Sequence, residues 1–247
     1  MSVKNDSGLP ASVQAAWGLR ERPAKGPRPA LSLERIVGAA VDLADAEGIG
    51  AVSMGRVAKE LGSSAMSLYR YVAAKDELLA LMVDAALVLP DRSPGPDEDW
   101  RAGIERWARI YHDALRRHPW VLRVPINGPP VTPNQIRWLE DGLAALADTG
   151  LREPEKLSVI LLVSGFVRNE ATLAADIAEA VAASGAQVMP GWSDVLRRVT
   201  DAERFPALHR AMASEAFEQD DDPDDEFVFG LERVLDGVAA LIARRRA

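Results

Sequence analysis

The stretch from Glu155 to about Ala180 constrains the fold more than any other. Its segment LSVILLVSGFV, Leu157 to Val167, carries apolar side chains on nearly every helical face. Such a helix is buried deep, or buried twice, in its own core and against a partner. Further stripes follow the i, i+3, i+4, i+7 spacing of amphipathic helices. They are Leu33, Ile36, Val37, Ala40, Val41 and Ala44; Trp100, Ile104, Trp107, Ala108, Tyr111 and Leu115; and Ile136, Leu139, Leu143 and Leu146. Another runs through Phe227, Val228, Leu231, Val234, Leu235, Val238, Leu241 and Ile242. No strand pattern competes, so the expected class is all-α.

Punctuation divides the chain. Residues 1–31 are rich in Pro, Gly and charge and read as a flexible basic arm, in which Trp17 and Leu19 are expected to dock. Ser32 suits the N-cap of a helix that Gly48 and Gly50 stop. Ser53 opens a short second helix, Gly62-Ser63-Ser64 is a tight turn, and Ser64 caps a third short helix over about 65–71. A fourth begins at Asp76. Pro90 to Asp99 is a turn-rich acidic linker, and 124–133 a loop with four prolines. The expected organisation is a three-helix head at 32–78 and a larger helical domain at 79–247.

With 48% hydrophobic residues in 247, the chain can bury a sizeable core. It has no cysteine, which excludes disulfide scaffolds and thiolate chemistry and fits a reducing cytosol. No apolar run approaches a membrane span of about 20 residues, and the N-terminus lacks a signal-peptide core. A cytoplasmic protein without a membrane partner is expected. The net charge of −8 opposes a nucleic-acid partner, yet it arises wholly beyond residue 90. Residues 53–75 carry Arg56, Lys59, Arg70 and Lys75 against Glu60 alone, and fields act locally.

Residues 53–75 have the order helix, Gly-containing turn, helix, behind an amphipathic helix, which is a helix-turn-helix arrangement. A helix entering a major groove about 12 Å wide needs small or polar residues at its start. Ser63, Ser64, Ala65 and Ser67 meet that need. Hydroxyls, Tyr69, Tyr71, Arg70 and Lys75 suit phosphate oxygens, and Arg70 also suits a guanine edge. Alternatively, the two tyrosines pack beneath the helix and Arg70 is merely solvated.

Residues 32–82 also resemble the DNA-binding region of the tetracycline-repressor (TetR) family. The resemblance rests on Leu68-Tyr69-Arg70-Tyr71-Val72 followed by Lys75, in order and spacing. LADTGL and the final FVFGLERVLDGVAALI look like the tetracycline-repressor type of ligand domain. The resemblance implies a homodimer on a pseudo-palindromic operator of double-stranded DNA, released by a small organic molecule. It implies DNA contacts at Ser53, Met54, Arg56, Ala65, Met66, Ser67, Tyr69, Arg70, Tyr71 and Lys75, to which the hydroxyl of Ser64 at the helix start is added. Tetracycline repressors proper hold drug-bound magnesium partly through a loop histidine. The approximate register puts Ile126 there, so an aromatic or polyketide-like ligand without magnesium is left open.

Within 79–247, the expected ligand contacts are Trp107, Tyr111, Trp120, Asn127, Trp138, Phe166, Arg168, Asn169, Glu170 and Trp192. Aromatics at helical spacing are equally consistent with core, and Arg168 and Glu170 with a dimer seam. His112, His118 and His209 lack metal-ligand spacing, so neither metal nor cofactor is expected. No G-x-S-x-G, Walker A or G-x-G-x-x-G motif points to an enzyme. A protein-binding helical adaptor or a ligand carrier without DNA function is the alternative. Leu231, Val234, Leu235, Val238 and Leu241 are expected to form the dimer seam with the 157–167 helix; alternatively the two helices bury each other within one subunit.

Overall fold

The computed structural model describes residues 9, 11–19, 31–90, 98–184, 188–214 and 223–246. Among these there are eleven α-helices and no strand. They are α1 (Ala11–Ala16), α2 (Leu33–Glu47), α3 (Met54–Glu60), α4 (Ala65–Leu68), α5 (Lys75–Ala86), α6 (Trp100–Arg117), α7 (Pro133–Ala145), α8 (Glu153–Ser184), α9 (Val188–Val199), α10 (Pro206–Ala213) and α11 (Pro223–Arg246). Short 3-10 turns lie at Ile49–Ala51, Pro119–Arg123 and Ala147–Thr149.

The caps fall on the serines. Ser32, Ser53 and Ser64 accept from the backbone N–H of Arg35, Arg56 and Ser67 and so open α2, α3 and α4. Between α3 and α4 the chain reverses at Gly62, whose φ is 61°. Gly62 N–H returns to Lys59 O at 3.1 Å and Ser63 N–H to Ala58 O at 2.8 Å. This paired closure satisfies the last carbonyls of α3 and requires a left-handed residue, for which glycine carries no steric penalty. Ile36, Ala40, Val52, Val57, Leu68, Val72, Leu78 and Met82 fill the core of the head.

Helix α6 packs on α7 and α8, and α8 on α11. Two approaches are close. A Cβ at Gly142 would lie 2.6 Å from Ile160, and one at Gly230 would lie 2.6 Å from Phe166. The head joins this bundle through α5, whose C-terminal end is tied to α7. Asp84 accepts from the N–H of Asn134 at 2.9 Å and of Gln135 at 3.3 Å, capping α7 in place of Thr132. Trp138 Nε1 donates to Leu87 O at 2.7 Å.

Three sequence expectations need correction. Residues 11–19 are not a flexible arm: α1 packs on α5 with Val13 and Ala15 buried, and Trp17 Nε1 donates to Val131 O at 2.7 Å. Arg20, Arg22, Lys25 and Arg28 lie outside the described residues. Helix α4 ends at Leu68 rather than near residue 71, the chain continuing as a turn closed by Tyr71 N–H to Leu68 O. Finally, Leu231, Leu235 and Val238 are buried within their own subunit. The sequence could not distinguish this from a seam, because a stripe shows only that a face is covered, not by what.

Candidate nucleic-acid interface and ligand cavity

The face formed by α3, α4 and the turn after it exposes Met66, Tyr69 and Arg70, with Lys75 exposed at the first position of α5. Ser67 and Ala65 are half-buried on the same short helix. Ser64 Oγ lies 2.9 Å from Ser67 Oγ, so the two hydroxyls hold each other in place. Tyr71 is half-buried against the head core, while Tyr69 is exposed. The two tyrosines thus divide the two sequence readings between them. Exposed hydroxyl, phenol, guanidinium and ammonium groups beside helix N-termini can meet phosphate oxygens.

Two expected contacts look different in space. Met54 is only 6% exposed, because the first turn of α3 faces the core, and so its side chain cannot reach out. Arg56 is bridged between Glu47 of α2 and Glu60 of α3, at 2.5 and 3.4 Å. These bonds raise its pKa further, and a phosphate would have to compete with two carboxylates. Ser53 Oγ is engaged as the cap of α3.

Beneath the head lies a cavity of about 1290 Å³. It runs between α5, α6, α7, α8 and the 124–132 loop. Trp107, Tyr111, Trp138, Asn127 and Arg168 line it, as expected. Trp107 and Trp138 meet edge to face at 5.6 Å, with Tyr111 5.3 Å from Trp138. Trp107 Nε1 donates to Trp138 O at 2.9 Å, and Arg168 Nη1 to Tyr111 Oη at 3.3 Å. The wall is therefore aromatic and rigid, with few polar groups. Leu79, Val83, Val121, Ile126, Gln135 and Ser164 add to it. Thr132 also lines it; 4% exposed, its Oγ1 has no hydrogen-bond partner among the described residues. Sequence reasoning passed over Thr132 and Gln135. The proline-rich loop before α7 was the available signal.

Four expected ligand residues lie elsewhere. Trp120 is buried outside the cavity and donates through Nε1 to Asp45 Oδ1 of α2 at 2.6 Å. The same carboxylate meets His118 Nδ1 at 2.8 Å. Phe166 stacks on Phe227 of α11, with ring centroids 5.8 Å apart. Asn169 is exposed and Glu170 half-buried, and neither reaches the cavity. The reason is helical phase: Ile160, Ser164 and Arg168 share one stripe of α8, and each single step from it turns 100° away. The side chain of Trp192 lies outside the described residues.

Residues 36–82 match the model of the family described as bacterial regulatory proteins, tetR family. Residues 93–242 match that of the tetracyclin repressor-like C-terminal domain. The chain belongs to the TetR family. It is a DNA-binding transcriptional regulator of that family, built as an all-α head and ligand-type domain. Among its relatives is the HTH-type transcriptional repressor DrrR1 of Streptomyces coeruleorubidus, 39% identical over 95% of this chain and 87% of that protein. Tetracycline repressor protein class E of Escherichia coli is 29% identical over 55% of this chain and 65% of that protein. Among solved structures, the Streptomyces coelicolor TetR family protein ActR in complex with actinorhodin is 29% identical with a TM-score of 0.70. That likeness covers 87% of this chain and 97% of ActR. ActR in complex with (S)-DNPA gives a TM-score of 0.71 at 28% identity, over 85% of this chain and 98% of that one.

Proposed function

We propose that this TetR-family chain is a cytoplasmic repressor that binds a pseudo-palindromic operator as a homodimer and leaves it when a flat aromatic molecule fills the cavity. Residues 32–78 serve as the head and 79–247 as the ligand and dimerisation part. Met66, Ser67, Tyr69, Arg70 and Lys75 carry the DNA contacts, with Ser53, Ser64, Ala65 and Tyr71 contributing through backbone or partly covered groups. Trp107, Tyr111 and Trp138 stack on the ligand, and Gln135, Ser164 and Arg168 orient its oxygens.

The observation that carries this reading is the position of α5. Its middle, Leu79 and Val83, is cavity wall, and its first residue, Lys75, is exposed and borders the same cavity. A ligand that displaces the wall therefore moves a phosphate-facing group. A second link runs through the Pro119–Arg123 turn, where Val121 is cavity wall and Trp120 holds Asp45 of α2. The binding of actinorhodin by ActR supports an aromatic effector. An aromatic floor favours planar ligands.

The test is a gel shift with the DNA immediately upstream of the gene, titrated with actinorhodin as the first probe. Retarded DNA that actinorhodin releases would support the reading. DNA that is bound but not released would reject actinorhodin as effector, and no retardation at low salt would reject the operator assignment.

A further inference from the structure

We propose that the N-terminal helix α1 is part of the effector site: a strap that supplies Leu9 and Val13 to the cavity and closes it over the ligand. The inference rests on the effector-cavity reading above and extends it to a segment that precedes the head.

Three observations place the strap. Leu9 and Val13 line the same cavity as Leu79 and Val83 of α5. Helix α1 packs on α5, with Val13 and Ala15 buried although α1 is only six residues long. A helix this short has no stability of its own in water, so tertiary contacts hold it. One such contact is specific: Trp17 Nε1 donates to Val131 O, in the loop that also lines the cavity, at 2.7 Å. Gln14 Nε2 donates back to Leu9 O at 2.8 Å, fixing the residue that enters the cavity.

The strap therefore links α5 to the 124–132 loop, and a ligand seated in the cavity would meet it at Leu9 and Val13. Its chemistry is apolar, matching the face of an aromatic ligand rather than its oxygens, which the far wall serves through Ser164 and Arg168.

The test uses the full chain and 8-anilinonaphthalene-1-sulfonate, an aromatic anion that brightens in apolar sites. Ser164→Trp fills the cavity from α8 and reports on the cavity itself. Val13→Glu puts a charge under the strap. Both should weaken the probe by about tenfold or more, the factor equivalent to about 1.4 kcal/mol. The chain has no cysteine, so Leu9→Cys gives a single thiol, and saturating probe should slow its reaction with a maleimide several-fold. If Ser164→Trp abolishes binding but Val13→Glu leaves affinity unaltered and the thiol reacts equally fast with probe present, α1 is not part of the site and the cavity reading stands. If Ser164→Trp has no effect, the probe sits elsewhere, and the cavity reading falls together with the strap. Should Val13→Glu melt far below the parent, the Leu9→Cys rate decides, and an unchanged rate overturns the proposal.

Discussion

Arg70 and Lys75 are exposed and close in sequence, yet Arg56 shows that a basic residue on this head can already be engaged by carboxylates. Its guanidinium is held by Glu60, an i,i+4 neighbour, and by Glu47, which was invisible as a partner because it is nine residues away on another helix. Replacing Arg70 or Lys75 by Ala should weaken all DNA about equally, and each should reduce the slope of log K against log salt by about 0.9. Arg56→Ala should leave that slope unchanged. A slope that shrinks for Arg56→Ala and not for the other two would reverse the assignment. His112 makes a different prediction. It is buried and stacked on Phe227 at 4.1 Å. Burial, with Arg116 nearby, pushes its pKa below the ordinary value of 6.5. The native state thus favours the neutral ring, while the unfolded chain takes up the proton first as pH falls. The stabilisation is complete above about pH 6.5 and is lost progressively below it. His112→Phe keeps the stacking, and its loss of stability between about pH 8 and about pH 5 should be smaller than the parent's. Equal losses, measured by urea midpoints, would show that another group carries the effect.

Helix α5 carries cavity wall and the exposed Lys75 on one rod, so under the proposed function its fixed end should govern both ligand and DNA binding. Asp84, 8% exposed, caps α7 and thereby clamps α5 to the cavity floor. Asp84→Ala leaves the N–H groups of Asn134 and Gln135 without that acceptor, at a cost of about 1–2 kcal/mol for a lost cap. The Tm should fall accordingly. If the clamp transmits the signal, operator release by effector should also need more ligand, while DNA affinity without effector stays close to the parent's. An unchanged effector dose would show that α5 moves independently of α7. The elements themselves were largely legible. Ser32, Ser53 and Ser64 marked three helix starts because a cap is a local hydrogen bond, and Gly62 marked the turn because its dihedral is local too. What escaped was non-local. Helix α1 has no stripe of its own and exists because α5 and Val131 hold it. Residues 206–213 form α10 without having signalled it. In the cavity, Trp107, Tyr111 and Trp138 were found because aromatics stand out, whereas Phe166, Asn169 and Glu170 were misplaced by phase along α8.

At the scale of the whole molecule, α8 presents an apolar surface that is left without cover among the described residues. Leu161 is 74% exposed and Leu162 53%, and Leu157 and Leu173 are also exposed along α8. Ser158 and Gly165 lie among them, small enough for a second helix to approach closely. On α11, Val234 and Leu241 are half-buried on the flank next to α8, and Phe229 is exposed beyond them. Among the described residues, one side of α8 lies against α6 and the flank of α11 and the other side is open. We infer that the dimer seam uses Leu157, Leu161, Leu162, Val234 and Leu241, two helices from each chain making a four-helix contact of two-fold symmetry. The same symmetry would set two heads about 34–36 Å apart, one turn of DNA. Leu235→Asp cannot test this, because Leu235 is 1% exposed inside its own subunit, and a carboxylate there would cost several kcal/mol of fold stability whether or not a dimer forms. Leu162→Asp separates the two effects. In an isolated subunit its carboxylate stays in water and the helical signal and core should survive; in a dimer it would be buried without a partner. The expected result is a folded monomer by light scattering with operator affinity reduced by about tenfold or more, since each half-site would be held by one head alone. A Leu162→Asp protein that remains a dimer and binds its operator like the parent would put the interface on another face.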